Sequence, residues 1–388
     1  MLILTIILMD LLTGMEFDLF VPSFPELQDY FNLSPSWVEL SLSVNFIGYC
    51  ISLFVVGELA DRFGRKPIIL VGLLFFIFGS LLCLSTTSYY FILGGRFLQG
   101  LGIAAPSILS FLIIADAYPV KKQQSLLAIL NGSMNMAVAF SPVIGSYITK
   151  LFHWKGNFIT LLSLGLITFV MTVFFIPNHK ILYKNTSSIL RGYIAIFKSS
   201  TLVLLLIYFI VNFVPYWIFV GMSPLLYMKD LGVSLNYFGF YQGSLAFTFG
   251  LGSLAFGFII NRYNKKKMLS VANQIFIFSF ICIMLVTFRN GHNPLVITLA
   301  FIPFVVGQIM PGNILYPLYL NLMPEAKGKL TAVIQGGRLI FASLGIQIAS
   351  YFYQGTFQSV GMILSVFIMM IIIAQRFVIK NYALIDVK

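Results

Sequence analysis

Residues 57–84 read GELADRFGRKPIILVGLLFFIFGSLLCL. From Pro67 to Leu84 the run holds no charged residue. A helix rises 1.5 Å per residue, so crossing the hydrocarbon core of a bilayer takes roughly 20 apolar residues. This stretch is close to that length, and Phe357 to Ala374 repeats the pattern near the other end. The rest of the chain is built alike: 59% of its 388 residues are apolar and 9% are charged, against about 25% charged in an ordinary soluble protein. A water-facing surface could not be assembled from that composition. In lipid every backbone N–H and C=O needs a partner within the protein, which leaves helices or a closed barrel. Barrel strands would alternate apolar and polar over about ten residues, and these runs do not alternate. The expected fold is an all-α membrane protein of twelve transmembrane helices with short loops and no sizeable soluble domain.

The spans are expected near 3–24, 38–60, 67–87, 91–114, 124–149, 157–177, 200–227, 236–260, 268–288, 294–320, 330–353 and 357–378. With the N-terminus in the cytoplasm, the segments after even-numbered spans carry 18 of the 24 Lys and Arg residues, and the opposite side carries Lys150, Lys155, Lys229 and Arg289. That asymmetry is a strong positive-inside signal and places both termini in the cytoplasm. It also accounts for the net charge of +12 without nucleic acid. The longest polar stretch, Pro177 to Ser200, falls at the middle of the count. The domain expectation is a six-helix bundle over 1–177, a cytoplasmic linker over 178–199 and a second bundle over 200–388. A faint repeat supports duplication: Gly57, Arg62 and Ser34 are matched 200 positions later by Gly257, Arg262 and Ser234. Paired six-span halves are a recognised transporter plan. Cys50, Cys83 and Cys282 all sit in apolar runs, as small hydrophobes do, and show no disulfide or metal spacing. The first apolar run contains Asp10, Glu16 and Asp18 and has no convincing cleavage site, so no separate signal peptide is expected.

Span one is the unusual crossing. An acid at mid-membrane costs about 2.5–3.5 kcal/mol on insertion scales, and three in one helix need a wet cavity, a proton or a cation each. From helix geometry, Asp10 and Asp18 are about 12 Å apart along the axis and about 80° apart around it, so they can line one cavity at two levels. Glu16 points about 160° from Asp18 and is left to a neighbouring span or the outer interface. A carboxylate out of water is charged only at a cost, so such a group can load and release a proton as access alternates. Asp10 and Asp18 are the candidate proton-coupling and substrate-binding acids, with Gly14, Asn45 and Asn135 as further candidates for the substrate path. Arg96, a cation within span four, is their candidate electrostatic regulator. The competing readings are a structural hydrogen bond for Asp10, a helix-end cap for Asp18 and backbone binding for Arg96. Arg338 in span eleven is a second cation within a span, in a half whose spans carry no acid, and either gates, meets an anionic substrate or is structural.

Gly57-Glu58-Leu59-Ala60-Asp61-Arg62-Phe63-Gly64-Arg65-Lys66 resembles the signature G-x-L-a-D-r-x-G-r-[KR] found between spans two and three of the major facilitator superfamily. In it, with Arg62 as a further motif residue, Gly57 would let two helices approach, Gly64 would turn the chain, and Arg65 and Lys66 would anchor the cytoplasmic face. Asp61 would pair with a charge on a neighbouring span, with Asp116 in the same cluster. Arg96-Phe97-Leu98-Gln99-Gly100-Leu101-Gly102 is similar to the R-x-x-Q-G-x-G pattern of proton-coupled members. Ser141-Pro142-Val143-Ile144-Gly145-Ser146 resembles the antiporter motif G-P-x-x-G-G, with serine for glycine at 141 and 146. Asp18-Leu19-Phe20-Val21-Pro22 resembles the D-x-x-x-P motif of drug:proton antiporters, and Asp10 with Asp18 resembles the acidic pair of MdfA-like, Bcr/CflA-type members. The span count covers the whole chain, whereas the specific motifs lie almost entirely in the first half.

That resemblance implies a proton-coupled antiporter of small, mostly lipophilic compounds in the bacterial cytoplasmic membrane, monomeric, with protons as coupling ion and no cofactor or metal. The alternative is a dedicated exporter of one endogenous metabolite such as a siderophore or amino acid. An enzyme is disfavoured because His153, His179 and His292 sit in loops and no nucleophile constellation is present. ATP-driven pumping is disfavoured because no G-x-x-x-x-G-K-[ST] loop occurs.

Overall fold

The computed structural model of the chain describes residues 1–85, 88–178, 194, 196–260, 262–289, 291–323 and 327–382. Most of the linker expected over 178–199 lies outside them. The helices are α1 (Leu2–Asp18), α2 (Phe24–Tyr30), α3 (Pro35–Phe63), α4 (Arg65–Leu84), α5 (Tyr89–Ala117), α6 (Val120–Phe175), α7 (Ser200–Pro224), α8 (Leu235–Ile259), α9 (Lys265–Phe288), α10 (Pro294–Asn321), α11 (Lys327–Tyr351) and α12 (Phe357–Lys380).

Ten helices among the described residues are long and apolar enough to cross a bilayer. One of them, α6, is two helices joined at His153, whose φ of 60° and ψ of −175° are not helical. α1 is shorter, with three acids in 17 residues. Dividing α6 and adding α1 gives the twelve crossings expected. The first crossing differs in detail from a single span over 3–24. α1 stops at Asp18, Val21–Ser23 form a 3-10 turn, and α2 resumes at Phe24. Pro22 and Pro25 mark the break: each lacks an N–H and sits at the first positions of the turn that follows, where that hydrogen would have no helical partner.

Helix ends follow local chemistry. The Asn264 Oδ1 accepts from the N–H of Lys267 at 3.1 Å, and the Asn293 Oδ1 from that of Leu295 at 2.9 Å, each covering an orphan donor of a first turn. Gly64 closes α3 with φ 95° and ψ 157°, a conformation open to a residue without Cβ.

The chain forms two compact units, Met1–Asn185 with Ser234–Gly243, and Thr186–Val233 with Ser244–Lys388. The first ten residues from Ser234 thus belong with the first unit. The repeat seen in sequence has structural counterparts at the same offset of 200. Asn32 and Gly232 both take positive φ, 53° and 68°, two residues before Ser34 and Ser234. The carbonyls of those serines accept the first backbone bonds of α3 and α8. In the first unit His153, at the kink, bonds to Glu26 at 2.9 Å. In the second unit Tyr353, 200 positions on, donates its hydroxyl to Asp230. Each unit therefore ties the turn after its fifth crossing to an acid beyond its first.

Burial is inverted relative to a soluble protein. Phe258 is 79% exposed and Phe174 74%, while Asp10, Glu16, Glu39, Asn45, Arg96 and Gln99 are fully buried. Lipid is the solvent for the first set, and the bundle interior shelters the second from it.

Candidate functional site

The three acids of α1 find three different environments. Glu16, the one left unassigned from sequence, sits at the centre. Its Oε1 accepts from Nη1 of Arg96 at 2.7 Å, with both side chains fully buried. The same oxygen accepts from Nδ2 of Asn45 at 2.7 Å, and that nitrogen also donates to the Arg96 carbonyl at 2.9 Å. Arg96 Nη1 donates to Gln99 Oε1 at 2.7 Å, and Gln99 passes its own Nε2 hydrogen to Ser80 at 2.7 Å. The Arg96 guanidinium also lies 4.1 Å from the centroid of the Phe20 ring, a cation–π distance. Four elements are joined here: α1, α3, α4 and α5.

This corrects one expectation. Among the described residues Arg96 does not contact Asp10 or Asp18; its counter-ion is Glu16. Asn45 is a member of the same ion-pair network. The physical reason is angular. Glu16 points away from Asp18 and so towards α3 and α5, where Arg96 is the cation.

Asp10 is buried, and its Oδ1 accepts from Ser110 Oγ at 2.9 Å. Ser107, one turn earlier on α5, shares a hydrogen bond of 2.7 Å with the Tyr49 hydroxyl. Asp18 is 2% exposed and accepts from Nε2 of Gln242, on the part of α8 that belongs to this unit, at 3.4 Å. It caps no backbone N–H of the turn that follows it. Both aspartates therefore rest on neutral donors, whereas Glu16 is locked to a permanent cation. Arg96, Gln99, Ser107 and Ser110 recur at helical spacing on one side of α5, so one helix serves Glu16 and Asp10 at two depths.

The remaining candidates sit on packed or on exposed helix faces. A Cβ at Gly14 would lie 2.8 Å from that of Ala137, so Gly14 lets α1 seat on α6. Asn135 is exposed on α6. At Gly100 a Cβ would overlap the Asn45 carbonyl oxygen, and at Gly145 the Leu19 carbonyl oxygen. These glycines bring α5 onto α3 and α6 onto the break after α1. Ser141, one turn before Gly145 and beside Pro142, donates to the Met15 carbonyl at 3.2 Å. Gly57 differs from the expectation: a Cβ there would meet nothing within 4 Å among the described residues, so the close approach expected of it is not seen among them. Arg62 pairs with Glu58 on an exposed turn, Arg65 is buried at the start of α4, and Lys66 Nζ donates to the Val173 carbonyl at 2.7 Å. The side chains of Asp61 and Asp116 lie outside the described residues.

In the second unit Arg338 lies 5.2 Å from the Phe209 ring centroid and 5.4 Å from that of Phe213. It donates to the Phe209 carbonyl at 3.4 Å and to Gln335 Oε1 at 3.1 Å. No ion pair of Arg338 with a carboxylate is found among the described residues. Nearby on α7, Asn212 Oδ1 accepts from Gln308 at 3.1 Å.

Sequence reasoning missed Glu39. It is fully buried in the second turn of α3, and neither carboxylate oxygen has a hydrogen-bond partner among the described residues. Its signal was present, since it is an acid just inside an apolar run.

The model for the Major Facilitator Superfamily matches residues 6–346. Multidrug resistance protein MdtL of Shewanella oneidensis is 25% identical over 261 residues, covering 67% of this chain and 66% of that protein. The protein of the same name from Salmonella typhimurium is 26% identical over 269 residues, again spanning 66% of the relative. The chain thus aligns with slightly under two thirds of the length of these relatives. Among solved structures, a D-xylose-proton symporter superposes with a TM-score of 0.74 at 15% identity, covering 95% of this chain and 96% of that one. A peptide transporter solved with sulfate gives 0.79 at 11% identity, covering 99% and 94%. At such identities the structures speak for the fold alone. With a family match over most of its length and twelve crossings in two units, the chain belongs to the major facilitator superfamily.

Proposed function

We propose that this protein is a proton-coupled exporter of small, mostly lipophilic compounds, working by alternating access as a multidrug efflux antiporter. The observation that carries the reading is the different partnering of three acids on one helix. Asp10 and Asp18 are buried on a serine hydroxyl and a glutamine amide, so each can carry a proton or give it up to a competing cargo without breaking an ion pair. Glu16 is held by Arg96 and anchors the helix that carries the other two. The names of the MdtL relatives support efflux of drugs, and the positive-inside charge distribution supports a cytoplasmic-membrane protein with both termini inside. A monomer acting on protons and small-molecule substrates, with no cofactor, is part of the same proposal.

The test is drug-dependent proton release from purified protein in detergent, comparing wild type with Asp10→Asn and Asp18→Asn. The expected result is fewer protons released per drug bound in at least one variant. Unchanged proton release in both overturns the mechanism. A panel of cationic, neutral and anionic cargoes separates multidrug from dedicated export, because a dedicated exporter would respond to one chemical class.

A further inference from the structure

We infer that the second unit carries a binding site for the headgroup of an anionic phospholipid, in a cleft between α9 and α12. The cleft has a volume of ≈ 510 Å³, and Lys266, Arg376 and Lys380 line it together with Asn273, Ile277 and Ile379. Three cations and no carboxylate face the space. Lys266 is at the beginning of α9 and Lys380 at the end of α12, so the charges share one end of the helix pair. Ile277 lies eleven positions further along α9, about 16 Å deeper at the helical rise. Between Lys266 and Ile277 the α9 wall carries Ser270, Asn273 and Gln274, so the cleft sets three cations beside neutral hydrogen-bonding groups, a lining suited to the phosphodiester and hydroxyls of a headgroup. Beside it, Phe278 on α9 and Phe377 on α12 are 59% and 53% exposed, a wall suited to acyl chains.

A second feature points to a ligand. Asn273 is 7% exposed, and its Oδ1 has no hydrogen-bond partner among the described residues. Asn273 lines the cleft with its Oδ1 turned away from solvent, and a rotation of the amide would present that oxygen to a headgroup hydroxyl, the donor that a buried amide oxygen needs. A glycerol headgroup carries such hydroxyls, and its phosphodiester supplies the negative charge for the three cations. Basic pockets between spans on the cytoplasmic side are established sites for anionic headgroups. The ordinary explanation of these residues is topology alone, and that explanation requires no preference among lipids.

The experiment is native mass spectrometry of the full-length protein with phosphatidylglycerol or phosphatidylcholine added at equal concentration, for wild type and for Lys266→Gln/Arg376→Gln/Lys380→Gln. Wild type is expected to retain phosphatidylglycerol at least tenfold more tightly, and the triple variant to lose that preference. Each single substitution should weaken it roughly fivefold, which keeps the test open if the triple variant fails to fold. Millimolar glycerol 3-phosphate should not displace the lipid. Equal retention of the two lipids by wild type, or an undiminished preference in the variants, overturns the site. Displacement by glycerol 3-phosphate overturns the assignment to lipid.

Discussion

Arg96 Nη1 and Glu16 Oε1 meet at 2.7 Å with neither side chain exposed. Removing one partner of a buried pair leaves an uncompensated charge, which costs about 3–5 kcal/mol. Glu16→Leu and Arg96→Met should each destabilise the protein on that scale, and the double variant should recover most of the loss. Denaturant unfolding in detergent measures it. Single-variant losses below about 1 kcal/mol, as for an exposed pair, would contradict the assignment of this pair as the interior anchor.

Gln242 tests whether Asp18 is in use. A hydrogen bond to a carboxylate contributes about 1.5–3 kcal/mol at good geometry, and less at the 3.4 Å found here. Gln242→Ala should therefore change transport by about fivefold, corresponding to roughly 1 kcal/mol, with little change in thermal stability. Transport rate against drug concentration in proteoliposomes reads the effect, and an unaltered curve counts against a working role for Asp18.

Two glycines of the motif region should respond in opposite ways. Gly100→Ala forces a methyl into the Asn45 carbonyl, and backbone cannot step aside, so a loss of about 1–3 kcal/mol is expected. Gly57→Ala meets open space and should be neutral or gain about 0.5–1 kcal/mol from helix propensity. Melting temperatures of the two variants in one detergent compare them directly. If Gly57→Ala instead abolishes transport while leaving stability intact, Gly57 packs closely in another state of the cycle.

Arg338 should bias the charge of the cargo. With two aromatic rings and neutral polar groups around it, its positive charge opposes a cationic compound in the second unit. At about 4 Å this amounts to roughly 1 kcal/mol in a water-like medium and more in a dry one. Arg338→Gln should raise export of cationic relative to neutral drugs by at least about fivefold, measured as the ratio of resistance levels across a drug panel. A ratio that stays fixed assigns Arg338 to packing.

The fold was legible in the sequence because lipid imposes a simple rule. Unbroken apolar runs such as Pro67–Leu84 become helices, prolines such as Pro22 and Pro25 interrupt them, and Gly64 turns the chain where no other residue does so freely. The three buried acids of α1 were also legible, because charges in an apolar run stand out, whereas Glu39, near the start of its run, was missed. The partners of the three were not legible. Glu16 looked the least useful of the three by its angle on an isolated helix, and that angle directs it to Arg96, 80 positions away. The packing partners of Asn45 on α5 and of Gly14 on α6 were equally out of view. Gly57 carried the sequence signature of a close approach that is not seen among the described residues. Composition and periodicity act along one helix, so sequence alone determined the twelve crossings and which groups would be costly to bury. Ion pairs and close contacts depend on which faces of neighbouring helices meet, and only the tertiary structure decided that Glu16 is tied to Arg96 while Asp10 and Asp18 rest on neutral donors.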